Sequence, residues 1–239
     1  MRNEKILLVD DEQGILDIFN ILLKKEGFKE IKTATSGEEA LSIVKNSKLD
    51  LIILDVSLPD MDGFQLCSQI RLYTQIPILF VSARSSDLDK LTGFGIGGDD
   101  YITKPFHPLE VMARIHAQLR RQNIYKASSQ TSATTIWDYG SLIVYPDEGR
   151  IIVNGEEIPH TAKEFELLTF FCKHPNRIFT TNQLYETVWG YSYVGDEKTV
   201  VMHISKLRKK IELNPKKPQI IVNLRGLGYK FIPPSRGDQ

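Results

Sequence analysis

Between residues 5 and 121 short apolar runs alternate with helix-like patterns. The runs Ile6–Val9, Ile31–Ala34, Leu51–Leu54, Ile76–Val81 and Tyr101–Thr103 predict five strands. Three of these are nearly continuous Ile, Leu, Val and Phe. Strands apolar on both faces imply a parallel sheet covered on both sides. Between the first two runs, Ile15, Ile18, Phe19, Leu22 and Leu23 form the i, i+3, i+4, i+7, i+8 stripe of an amphipathic helix. Ser36 followed by Glu39 predicts a capping box at the start of the next helix. Five such strand–helix units predict a doubly wound, flavodoxin-like α/β fold. Its ligands would sit at the carboxyl ends of the strands.

The polar stretch 122–135 lacks apolar periodicity and predicts a flexible linker. Beyond it the pattern changes class. Residues 136–160 read as a small antiparallel sheet with a tight Asn154-Gly155 turn. Three helices follow. Thr161 with Glu164 and Thr180 with Gln183 open the first two as capping boxes, and the third spans roughly 196–212. Last, Gln219–Leu224 and Tyr229–Ile232 flank Arg225-Gly226-Leu227-Gly228 as a hairpin. The organisation is an α/β unit over 1–121, the linker, and an α+β unit over 136–235.

Composition narrows the classes. No apolar run approaches the ~18 residues of a membrane helix, and Met1-Arg2-Asn3-Glu4-Lys5 does not have the shape of a secretory leader. Cys67 and Cys172 stand apart, without metal-like neighbours, and read as packing residues in a reducing cytosol. A cytoplasmic protein without a membrane partner is expected. The formal net charge is zero, but residues 1–121 carry 15 basic and 18 acidic side chains and residues 122–239 carry 15 and 12. This split hints at a cation site in the first half and a polyanion partner in the second.

Candidate chemistry collects at the strand ends. Asp10, Asp11 and Glu12 follow the first strand, Asp55 the third, Ser82 the fourth, and Lys104 the fifth, just before Pro105. Three carboxylates in one crevice repel one another unless a hard divalent cation sits among them. With a lysine and a hydroxyl beside them, such a site suits phosphoryl transfer onto a carboxylate. In the second half, Val200, Ile204, Leu207 and Ile211 give the third helix a narrow apolar stripe. Lys198, Met202, Ser205, Lys206 and Lys209 lie opposite, flanked by His203 and Arg208. That face suits a DNA major groove, with cations for phosphates and short or flexible side chains for base edges.

Val9-Asp10-Asp11-Glu12, Leu54-Asp55-Val56-Ser57-Leu58-Pro59-Asp60-Met61-Asp62-Gly63 and Gly97-Gly98-Asp99-Asp100-Tyr101-Ile102-Thr103-Lys104-Pro105-Phe106 resemble the receiver-domain motifs of two-component response regulators. Trp189-Gly190, Thr199–Lys210 and Leu224-Arg225-Gly226-Leu227-Gly228-Tyr229-Lys230-Phe231 resemble the winged-helix effector of the OmpR/PhoB family. The resemblance implies that Asp55 accepts a phosphoryl group from a histidine kinase. It implies Mg²⁺ held by Asp10, Asp11, Asp55 and the Ser57 carbonyl. Lys104 would pair with phosphoryl oxygens, Ser82 would be the switch hydroxyl, and Tyr101 would be the switch aromatic that swings inward. Ser57 and Arg84, at the mouth of the site, would set the phosphoryl lifetime.

In the effector, the resemblance places the third helix in the major groove and Arg225 in the minor groove. The DNA-facing set is Lys198, Thr199, Val201, Met202, His203, Ser205, Lys206, Arg208 and Lys209, with Lys206 and Arg208 on phosphates. Residues 183–197 would be the loop that touches RNA polymerase. Phosphorylation would pair two receivers through Lys90 with Glu110, Asp100 with Arg114 and Asp99 with Arg121. The dimer would then bind direct repeats in promoter DNA. Three positions depart from family patterns: Gly98 replaces a usual Ala and would loosen its loop, Val201 replaces a polar residue, and His160 replaces a Leu and would be less buried.

The reading is thus a phosphorylation-switched transcriptional regulator rather than an enzyme. Alternatives are a constitutive DNA-binding regulator with a structural receiver, or an aspartyl-phosphate phosphohydrolase. The second lacks the extra carboxylate two residues beyond Asp55, where Ser57 stands.

Overall fold

The computed structural model of the protein describes residues 2–128, 135–190 and 197–234, without the side chains of residues 87, 91, 120–128 and 197. Two compact units divide between residues 120 and 121.

In the first unit, β1 (Arg2–Val9), β2 (Phe28–Ala34), β3 (Leu51–Leu54), β4 (Ile78–Ser82) and β5 (Asp100–Thr103) form one sheet in the order β2-β1-β3-β4-β5. Every pairing is parallel, as the continuous apolar strands demand. The helices are α1 (Gln13–Lys25), α2 (Gly37–Asn46), α3 (Gly63–Ile70), α4 (Asp87–Ile96) and α5 (Pro108–Ser128). Ile6, Leu8, Ile53, Leu79 and Ile102 meet Leu16, Phe19 and Leu23 of α1 and Val111 and Ile115 of α5 in one core.

Four local expectations change. The stripe of α1 centres on Leu16, Phe19 and Leu23, and Ile18 is 45% exposed. The box at α2 is half formed: the Ser36 hydroxyl accepts the Glu39 N–H, but the Glu39 carboxylate accepts from Thr35 N–H instead. β4 begins two residues late, because Pro77 has no N–H to give the ladder. Finally, α5 runs through Ser128, so residues 122–128, expected as linker, are helical. Residues 129–134 of that stretch lie outside the described residues.

The second unit opens with the antiparallel strands β6 (Trp137–Asp138), β7 (Leu142–Tyr145), β8 (Arg150–Val153) and β9 (Glu156–Glu157). Asn154 and Gly155 turn β8 into β9 at φ 51° and 85°, the left-handed pair that such a tight turn requires. The helices are α6 (Ala162–Lys173), α7 (Thr181–Trp189) and α8 (Glu197–Ile211), and both predicted capping boxes are complete. Buried Lys163 donates to the Val188 carbonyl at 2.7 Å, satisfying an acceptor at the end of α7. A short strand that the sequence reading missed, β10 (Ile178–Phe179), pairs with β12 (Gly228–Phe231), which in turn pairs with β11 (Ile221–Leu224). The unit is a winged helix, with the β11–β12 hairpin as its wing.

Candidate metal centre and nucleic-acid interface

The ends of β1, β3 and β5 converge as expected. Asp10, Asp11 and Asp55 each offer a carboxylate oxygen within 4.8 Å of the others. Asp10 and Asp55 are buried and Asp11 is exposed. Lys104 Nζ donates to Asp10 Oδ2 at 2.8 Å and lies 3.6 Å from both Asp55 Oδ1 and Glu12 Oε1. Burial pushes both buried carboxyls above the ordinary Asp range. For Asp55 the Lys104 charge pulls down and the Asp10 charge pushes up. Burial opposes the Lys104 charge, but its bond to Asp10 and the surrounding carboxylates outweigh this and raise its pKa.

Asp55 Oδ2 accepts the Ser57 N–H at 3.1 Å, while Oδ1 is sealed from solvent and has no hydrogen-bond partner among the described residues. Gly63 is forced by this geometry: a Cβ there would lie 2.2 Å from the Asp55 carbonyl oxygen. Ser82 is fully buried, and its hydroxyl accepts the Arg84 N–H at 3.2 Å. Tyr101 already lies inward, 6% exposed, and its hydroxyl donates to the Arg84 carbonyl at 2.7 Å. Burial pushes its phenol up to about 12. One contact was missed by sequence reasoning: the Arg84 guanidinium reaches Asp62 Oδ2 at 3.0 Å across the mouth of the site. Asp62 also caps α3.

Gly98 has a packing reason. A Cβ there would stand 2.5 Å from the Phe80 ring, so Gly98 accommodates Phe80 rather than loosening the loop. Phe80 in turn packs on Phe64 and Tyr101, with ring centroids 5.3 and 5.8 Å away.

The charged set on the α4–β5–α5 side is largely paired within the chain. Arg114 Nη1 grips both Asp100 oxygens at 2.7 and 2.8 Å, and its Nε and Nη2 reach Glu110 Oε1. Asp100 and Arg114, expected to pair between chains, are buried and pair within one. Lys90 is half-buried. Asp99 corrects the expectation: it is fully buried, bonds Arg71 Nη2 at 2.7 Å and accepts the Ile78 N–H. It fastens two loops and does not reach the surface. The Arg121 side chain lies outside the described residues.

On α8, Val200, Ile204, Leu207 and Ile211 are buried as predicted. Lys198, Val201 and Lys209 are exposed, and Met202, Ser205 and Lys206 are half-buried. Arg225 is exposed at the wing tip. Thr199 and His203 are corrections, since both are buried and cannot face DNA. The His203 Nδ1–H donates to Thr199 O at 2.8 Å, and its ring stands edge-on to Trp189 at 4.9 Å. Burial, helped by the Lys206 charge, pushes His203 down to about 3. Arg208 is turned toward the wing. His160 is half-buried and stacked on Phe165. Residues 183–189, expected in a polymerase-facing loop, belong to α7, and 191–196 lie outside the described residues.

A parallel sheet with a carboxylate cluster at its carboxyl edge, joined to a winged helix, defines a response regulator with a DNA-binding effector. Residues 6–116 match the family described as "Response regulator receiver domain", and residues 155–231 match "Transcriptional regulatory protein, C terminal". The chain belongs to the OmpR/PhoB family of two-component transcriptional regulators.

It is 49% identical over 237 residues to the transcriptional regulatory protein YvrH of Bacillus subtilis (strain 168), covering 99% of each chain. Among solved structures it is similar to DrrB, an OmpR/PhoB homologue of Thermotoga maritima (30% identity, 97% and 100% coverage, TM-score 0.51). It is also similar to the C128S mutant of RitR (25% identity, 96% and 99% coverage, TM-score 0.75).

Proposed function

We propose that the first unit takes a phosphoryl group from a sensor histidine kinase onto Asp55, and that this controls promoter binding by the second. The observation that carries the reading is Asp55 Oδ1, shut away from solvent, without a hydrogen-bond partner among the described residues, and 3.6 Å from the Lys104 ammonium. Buried carboxylate oxygens are rarely left so. The cluster fits Mg²⁺: hard oxygen donors with burial-raised pKa values are what a divalent cation relieves. Asp10, Asp11, Asp55 and the Ser57 carbonyl would hold the ion, which would neutralise charge on the incoming phosphoryl group. Lys104 pairs with a phosphoryl oxygen, the Ser82 hydroxyl donates to another, and the Tyr101–Arg84 bond carries the change toward α4. The exposed Ser57 and Arg84 side chains govern water access and so the lifetime of the phosphoryl group.

With Mg²⁺ and a small phosphodonor the protein gains one phosphoryl group, read by intact mass. Asp55→Asn gains none, and chelation of Mg²⁺ stops the reaction. Robust labelling of the Asp55→Asn chain would sink the assignment.

The output follows from the effector. The outer face of α8 enters the major groove through Lys198, Val201, Met202, Ser205, Lys206 and Lys209, and Arg225 enters the minor groove. Phosphorylated receivers pair through Lys90 and Glu110, with Asp100 and Arg114 beside them, so that two effectors bind a direct repeat and meet RNA polymerase. Lys90→Glu or Glu110→Lys alone abolishes phosphorylation-induced dimerisation in sedimentation, and the double reversal restores much of it. Normal dimerisation of both single reversals refutes the interface.

A further inference from the structure

Arg208 lies in the last turn of α8, and the sequence groups it with the phosphate-binding cations of that helix. Its geometry is different. The Nε–H donates to the carbonyl of Ile221, the first residue of β11, at 2.8 Å. Its Cζ stands 5.6 Å from the centroid of the Tyr229 ring on β12. Nη2 is closed off from solvent and has no hydrogen-bond partner among the described residues. A cation presented to DNA keeps its donors in water until phosphates replace it. Arg208 has instead committed two of its three nitrogens inward.

We propose that Arg208 is a positioning residue that braces the wing against the recognition helix, fixing the offset between Arg225 and the outer face of α8. The inference rests on the DNA-binding reading above. Ile221 pairs with Phe231 at the base of the hairpin, and Leu224 with Gly228 near its tip. Arg225 therefore stands four residues beyond the grip, about 13 Å at ~3.3 Å per residue. A tilt of about 15° at the base would carry the tip roughly 3 Å, enough to break a hydrogen bond.

Two other contacts hold single strands. The Glu212 carboxylate accepts the N–H groups of Ile220 and Ile221 at 2.9 and 2.8 Å, on the β11 side. Gly228 presses β12 onto Phe179, where a Cβ would meet the carbonyl oxygen at 2.1 Å. Arg208 holds both strands, one through its hydrogen bond and the other through the ring.

Brace and phosphate contact make opposite demands on the side chain. Glutamine places its Nε2–H where arginine has Nε–H, so it keeps the Ile221 bond and a planar group on the side of the Tyr229 ring, and loses the charge. Lysine keeps the charge and loses the planar fork. The experiment measures affinity of the full chain for a duplex selected from random sequence by the unaltered protein. Thermal unfolding, followed by tryptophan fluorescence, checks that each variant is folded. Arg208→Gln should bind within about 3-fold of the unaltered chain, and Arg208→Lys about 10-fold more weakly. Arg208→Ala should cost about 10-fold alone and under about 2-fold in an Arg225→Ala background, because both act through the same contact.

If Lys binds normally while Gln is as weak as Ala, or if the Ala losses multiply, the brace is wrong. Should Arg208→Ala not fold, the Gln and Lys variants decide the matter alone. Failure of the unaltered chain to select any duplex overturns the DNA-binding reading, and the brace with it.

Discussion

Lowering the pH from 7 to 5 should destabilise the effector unit by about 2 kcal/mol through His203 alone. The ring is fully buried between α7 and α8, with Nδ1–H given to Thr199 O and its edge against Trp189. Burial foremost, then the Lys206 charge, holds the folded pKa at about 3, against ~6.5 in an unfolded chain. The sign follows from who binds the proton. Below ~6.5 the unfolded chain takes it and the folded chain does not, so stability falls with the pH. The loss grows by about 1.4 kcal/mol per pH unit and levels off near the folded pKa. At pH 5, 1.5 units below the unfolded pKa, it amounts to about 2 kcal/mol.

Urea unfolding followed by tryptophan fluorescence reads this cleanly, since both tryptophans, Trp137 and Trp189, lie in the second unit. The midpoint should fall by roughly 1–2 M. His160, whose pKa burial also lowers, adds loss of the same sign. The decisive comparison is therefore His203→Leu, whose loss on acidification should be smaller by about 2 kcal/mol. An equal midpoint shift in the two proteins refutes the reasoning.

Gly98→Ala drives a methyl to 2.5 Å from Phe80 and 2.9 Å from the Gly93 carbonyl, and should cost the receiver about 1–3 kcal/mol. Adding Phe80→Leu should recover a large part of that, read as hydrogen-exchange protection in β4 and α4. Arg71→Ala strips the buried Asp99 of its guanidinium partner and should cost about 3–5 kcal/mol, seen in the same exchange experiment across β4 and β5. Changing Met202 should shift sequence preference by roughly 1–3 kcal/mol at one or two base pairs in a binding assay on site variants, and a uniform loss rejects its role. Lys209→Ala should instead weaken all sequences and lower the salt slope by about 0.9.

The sheet and its carboxylate edge were legible because each strand carries its own signal. Continuous apolar runs announce burial on both faces, and Asp10, Asp11, Asp55 and Lys104 stand where those runs stop. What stayed hidden depends on partners far along the chain. Asp99 reads as one more surface acid until Arg71, 28 positions earlier, is seen against it. His203 and Thr199 flank the apolar stripe of α8 on a helical wheel, and a wheel cannot say how wide the buried face is. Packing against α6 and α7 together widens it to include both. The wing contact of Arg208 was hidden for the same reason, since its acceptor comes from Ile221. Gly98 shows the limit most simply: the reason for a missing methyl is the bulk of Phe80, eighteen residues away.

The Arg114 pairs have a consequence for selectivity. Its guanidinium already grips Asp100 and Glu110 inside one chain. A second receiver offering the same groups can exchange these bonds but not increase their number. Trading like for like leaves the ionic contribution near balance, whereas a foreign receiver with a mismatched charge must break a bond and leave a buried group unanswered. In the proposed pairing of receivers the network would then serve as a kinship test between copies, and the Asp100–Arg114 bonds would add little to its strength.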